Sequence, residues 1–141
     1  MKTTEKTLRW EEEEGENIKY IITKKDTNSI IFERLLLGEV KDQYAKDVWE
    51  ITKSDNKITI IVKDVRNDWY EKGNTCDEIV SKIEYQFTET ASDFYDFFFK
   101  AENLDWAVKT YGVKAAMRKV LEEIVHGIHE DLNIDYLTDD C

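Results

Sequence analysis

Two spacings of apolar residues divide the chain. Up to about residue 90 they recur at every second position, and beyond it at every third or fourth. "TLRWEEEE" alternates Leu8 and Trp10 against Arg9 and Glu11, and "NIKYIITK" sets Ile18, Tyr20 and Ile22 on one face, with residues 15–17 as the turn between them. Such alternation describes half-buried strands, and two of them across a short turn describe a hairpin. A second hairpin joins "DVWEITK" to "KITIIVKDV" at "SDN", where Trp49 and Ile51 can meet Ile58, Ile60 or Val62 across the ladder. "SKIEYQFTET" places Ile83, Tyr85 and Phe87 against Lys82, Glu84, Gln86 and Thr88, which predicts a further strand after a loop carrying Trp69 and Tyr70. Between the hairpins, "NSIIFERLLLGEV" reads two ways. Ile31 with Leu35 and Phe32 with Leu36 suit a short helix capped by Asn28 or Ser29 and ended by Gly38, and the same residues fit a strand.

The period then lengthens. In "SDFYDFFFKAENLDW", residues 92–106, Ser92 is placed to cap a helix through about Ala101, with Asp93 complementing the dipole in its first turn. A longer helix is predicted from near Gly112, where Val113, Met117, Val120, Leu121, Ile124, Ile128 and Leu132 form one apolar stripe. Together these elements predict an α+β fold. An antiparallel β-meander of about five strands packs against a long amphipathic C-terminal helix, preceded by a short aromatic-rich helix. One domain spans residues 1–141, strand-rich over 1–90, helical over 91–132 and with a tail that frays over 133–141. A sheet of this kind can curl around the helix, as in helix-grip architectures.

Composition narrows the function more than the fold. Of 141 residues, 31 are acidic and 20 basic, a formal charge of −11, so nucleic acid and anionic membrane are repelled at long range and basic partners attracted. The same charge also serves plain solubility. Pro is absent and only five Gly occur, so no linker marks a domain boundary. Cys76 and Cys141 read as reduced thiols, and no stretch resembles an export signal or membrane span, which together predict a cytoplasmic protein.

The candidate sites follow from charge and aromatic content. Phe94, Tyr95, Phe97, Phe98 and Phe99 point in several directions on a helix, so one sheet contact cannot cover them all. Phe94, Tyr95, Phe98 and Phe99 are therefore read as partly a contact surface, which also makes self-association into a homo-oligomer an expectation. Glu11, Glu12, Glu13 and Glu14 on a strand project alternately, with same-face carboxylates about 6.6 Å apart. That row approximates alternate phosphates of a nucleic-acid strand, although charge guarding an edge strand explains it as well. Trp10, Trp69 and Tyr70 are the expected interface anchors beside it.

Two other clusters carry less. Glu122, His126 and His129 share a helical face, a geometry open to a divalent metal, but no second helix supplies matching ligands and no metal or other cofactor is expected. Lys109, Lys114 and Arg118 flank the start of the long helix, where an anion can bind, although Arg118–Glu122 and Lys119–Glu123 are i,i+4 pairs that account for two of the charges. No phosphate loop, nucleophile elbow or CxxC occurs, so a non-enzymatic role is expected. The leading expectation is a small acidic inhibitor of a basic, nucleic-acid-binding protein, of the kind phages and mobile elements deploy against host systems. The alternatives are a small-molecule or nucleotide-binding module of helix-grip-like architecture, and a structural homo-oligomer subunit.

Overall fold

The computed structural model describes residues 7–38, 43–54, 57–67, 78–87, 98–125 and 137. Six antiparallel strands lie side by side in sequence order: β1 (Leu8–Glu14), β2 (Ile18–Asp26), β3 (Ser29–Leu37), β4 (Tyr44–Ser54), β5 (Lys57–Asn67) and β6 (Glu78–Phe87). Two helices follow, α1 (Ala101–Tyr111) and α2 (Val113–Val125). The fold is therefore an α+β meander, as the periodicity predicts, with one open reading resolved and two expectations corrected.

Residues 29–37 form a strand, not a helix. Pairing on both sides decides it: Ile30 stands opposite Ile51 and Phe32 opposite Trp49, while Phe32 also faces Ile22. The i,i+4 apolar pairs that suit a helix are equally a period of two, and neighbours on both edges satisfy the backbone that a lone helix would have to satisfy alone. Secondly, residues 98–100 form a turn and a bend, so a helix reaching Ala101 from Ser92 is not what the described residues show; Ala101 instead opens α1. The helical region is thus two elements broken at Gly112, whose φ of 94° closes α1; α2 begins where the long C-terminal helix is expected, and the reach of that helix beyond Val125 lies outside the described residues. Thirdly, Leu137 lies in the tail expected to fray, yet it is fully buried in the core.

The core sits on one sheet face. Tyr20, Ile22, Ile30, Phe32, Trp49, Ile51, Ile58, Ile60 and Val62 are buried beneath Leu104, Ala107, Val113, Ala116, Met117, Val120 and Leu121. Val113, Met117, Val120 and Leu121 are the first four members of the stripe read from the sequence; Ile128 and Leu132 lie outside the described residues. Burying one large apolar side chain contributes about 1.5–3 kcal/mol, so this layer dominates stability.

Among the described residues no helix lies on the opposite face, yet Ile21, Val48 and Val65 are buried there too. Diagonal ion pairs between neighbouring strands shelter them: Lys19–Glu11 at 3.3 Å, Lys46–Glu33 at 3.2 Å and Lys63–Glu50 at 2.8 Å. The lysine stems cover the apolar side chains while their heads stay wet. On the helix-bearing face, Arg34 pairs with Asp47 at 3.2 Å. Burial pushes the Asp47 carboxyl above its usual range, and the Arg34 guanidinium opposes that shift.

Candidate functional site

Helix α1 follows β1 in the same direction, because residues along the two are brought near one another in the same order. Leu8 and Ala101 line one cavity, Trp10 Nε1 donates to Asp105 Oδ1 at 2.9 Å, and Gly112 abuts Glu12. The β1–α1 pair therefore has two ends, and their chemistry is opposite.

At the far end stands the acidic strand. Glu12 Oε1 accepts the backbone N–H of Lys114 at 2.9 Å, so a carboxylate of the chain itself fills the N-terminal site of α2. A Cβ on Gly112 would come within 3.0 Å of Glu12 Oε2, so the close approach needs glycine there for room as well as for its positive φ. Glu14 accepts from the Tyr20 hydroxyl at 2.9 Å and from Lys114 Nζ at 3.1 Å. Glu11 points to the other side, where Arg9 and then Lys19 hold its carboxyl below the usual range. The acidic row is thus divided: Glu12 and Glu14 help to hold the helices, Glu11 is ion-paired, and Glu13 is exposed.

Beside this strand lies an aromatic pair that the sequence reading did not single out. Trp106 and Tyr111 are about half exposed, and their rings meet edge to face with centroids 5.8 Å apart. Lys119 Nζ lies 4.4 Å from the Tyr111 ring centroid. Tyr111 also forms one wall of a cleft of about 140 Å³ shared with Glu12, Glu13, Glu14, Lys114 and Ala115.

At the near end, a cavity of about 680 Å³ opens at the start of α1. Lys24, Lys25, Lys53 and Lys100 are in its walls, with Asp26 the one carboxylate among the described lining residues. Lys24 is 5% exposed and donates from Nζ to the Asp26 carbonyl at 2.8 Å. Phe99 lies between Lys24 and Lys53, whose ammonium groups are 5.6 and 5.8 Å from its ring centroid.

Several expected site residues fall elsewhere. Phe98 and Phe99 belong to the core at 7% and 4% exposure, so they are not a contact surface; the turn at 98–100 directs both inward. Trp10 is half-buried and packs against the core, clamping β1 to α1 through Asp105, so it is not an open anchor. Lys109, Lys114 and Arg118 do not converge on an anion site: Lys109 pairs with Asp105 at 2.9 Å, Lys114 with Glu14, and Arg118 with Glu122 at 3.9 Å. Trp69, Tyr70, Phe94, Tyr95, His126 and His129 lie outside the described residues. Among the described residues no three His, Cys, Asp or Glu side chains gather to hold a metal, and no helix is long and apolar enough to cross a membrane.

The signal for Trp106 was present in the sequence, whereas Tyr111 falls on the apolar stripe and its exposure was not. Leu104, Ala107 and Val108 recur at helical spacing over 101–111, which turns Trp106 away from the core. Comparison with known proteins finds no counterpart: no family model, curated protein or solved structure matches the chain.

Proposed function

We propose that this chain is a recognition protein that binds a cationic protein partner, and inhibits it by covering the basic surface with which that partner would hold nucleic acid. One observation carries the reading. Of the three exposed large apolar side chains among the described residues, Trp106 and Tyr111 form a single ring pair, and Tyr111 shares a cleft with the strand end bearing Glu13 and Glu14. Trp and Tyr are the side chains most enriched at binding hot spots, and an electron-rich ring beside carboxylates favours a guanidinium or ammonium group. Lys119 over Tyr111 is an intramolecular instance of that contact. The surplus of 31 acidic over 20 basic residues adds long-range steering toward such a partner.

The test is affinity capture from bacterial lysate with the wild-type chain and a Trp106→Ala/Tyr111→Ala variant, at low and high salt, followed by mass spectrometry. The expected result is a basic nucleic-acid-binding protein retained by the wild type at low salt and weakened at least about tenfold by the double substitution. Capture that is equal for both chains, or indifferent to salt, overturns the reading. So does light scattering that shows a wild-type homodimer reverting to monomer in the variant, since the ring pair would then serve self-association.

A further inference from the structure

We infer that the group the Trp106–Tyr111 pair receives is an arginine side chain of the partner, which takes the ring face now held by the protein's own Lys119; the inference rests on the reading of that pair as the partner surface. The first ground is that a cation already occupies the place. Lys119 Nζ, on α2, lies 4.4 Å from the Tyr111 ring centroid, inside the roughly 6 Å within which a cation and an aromatic face attract. Glu123, one turn further along α2, is the partner that helical spacing offers Lys119, yet the ammonium group is found over the ring. The Tyr111 face is therefore a cation site in use, filled by the chain itself.

The second ground is the state of the rings. Trp106 and Tyr111 are 50% and 45% exposed, on a helix whose Leu104 and Ala107 are completely buried. Their edge-to-face contact at 5.8 Å holds both in one arrangement, which lowers the entropy lost when a partner docks. The cleft that Tyr111 shares with the acidic strand measures about 140 Å³, below the range of small-molecule sites and suited to the end of one side chain.

The third ground separates arginine from lysine. An incoming lysine would exchange one ammonium group for another, and the resident one is tethered at a high effective concentration, so the exchange gains nothing at the ring. A guanidinium group brings more, because its plane stacks on an aromatic face while its N–H groups reach carboxylates at the border. Two exposed carboxylates stand there: Glu102 is one helical turn before Trp106, and Glu13 borders the Tyr111 cleft. Once displaced, Lys119 has Glu123 within the same turn of α2 to pair with.

The experiment measures fluorescence anisotropy of labelled, capped hexa-arginine and hexalysine peptides titrated with the full chain. Salt is held at about 0.15 M, where attraction to the net charge is screened beyond about 8 Å. Expected is a preference for hexa-arginine of about fivefold or more in the wild type, lost in Trp106→Ala/Tyr111→Ala, kept in Tyr111→Phe and narrowed about twofold by Glu102→Gln. Lys119→Met, which clears the ring, should tighten hexa-arginine about threefold beyond Lys25→Met, which removes the same charge at the other end of α1. Thermal melts of each variant keep loss of folding apart from loss of binding. Equal affinity for the two peptides, or a Lys119→Met no different from Lys25→Met, overturns the arginine assignment; if the double alanine variant still weakens both peptides, the cationic-partner reading outlives that failure. Peptides that bind the double variant as they bind the wild type, or that bind neither, overturn both.

Discussion

The two helix starts make an instructive pair. At α2, the N-terminal N–H of Lys114 is taken by Glu12 from a strand about a hundred residues earlier, and the cation beside it, Lys114 Nζ, is taken by Glu14. At α1, the N-cap residue Lys100 makes no side-chain cap hydrogen bond of its own, and it lines a cavity with Leu8, Phe99 and Ala101. The same physics favours an anion at both, and among the described residues the start of α2 is where the fold is seen to supply one. A basic cluster beside a helix start, as at Lys114, is therefore no site once the chain's own carboxylates answer it.

The most severe way to break this contrast is to separate the helix from the strand that orders both ends. Trp10→Ala removes a half-buried ring and the bond to Asp105, and should cost about 3 kcal/mol in denaturant-induced unfolding; Trp10→Phe, which keeps most of the packing, should cost about 1 kcal/mol. Next in size is the filled start. Glu12→Ala should destabilise the chain by about 1–2 kcal/mol in the same unfolding measurement, as loss of a helix cap does.

The open start should respond with the opposite sign. Lys100→Asp places a capping carboxylate where the backbone is already extended, so it should raise stability by about 0.5–1 kcal/mol in denaturant-induced unfolding. A destabilising Lys100→Asp would remove the contrast between the two helix starts.

The smallest effect is in the middle of the pair. The Lys109 ammonium, and then the Trp10 indole N–H, hold the Asp105 carboxyl below the usual aspartate range. A carboxyl depressed in the folded state contributes stability that is present above its unfolded pKa and lost as pH falls through the folded one. The Trp10 indole proton resonance should therefore stay constant through mildly acidic pH and move only in stronger acid than an ordinary aspartate requires. Lys109→Met should bring that midpoint upward.

How much of this was legible in the sequence depended on distance along the chain. The β1–β2 and β4–β5 hairpins and the α2 stripe were readable because turn residues and apolar spacing are local. β3 was ambiguous since "IIFERLLL" satisfies both periods, and only its pairing with β2 and β4 resolves it. α1 was missed, because a helix capped at Ser92 and ending near Ala101 left 102–111 unassigned, and that helix also put Phe98 and Phe99 on a surface when the turn at 98–100 sends them into the core. The lysine cavity was not legible at all: Lys24, Lys53 and Lys100 are neighbours only after the sheet and helix have formed. Glu12 as the partner of α2 was hidden for the same reason.

The order of the strands also bears on how the chain is made. Every strand pairs with the one synthesised just before it, so the sheet can zip at a growing edge as the polypeptide leaves the ribosome, with no long loop to close. The helices come last. Until they emerge, the side of the sheet bearing Phe32, Trp49 and Ile60 lacks the cover of α1 and α2, which is the kind of exposed apolar layer that engages chaperones and proteases.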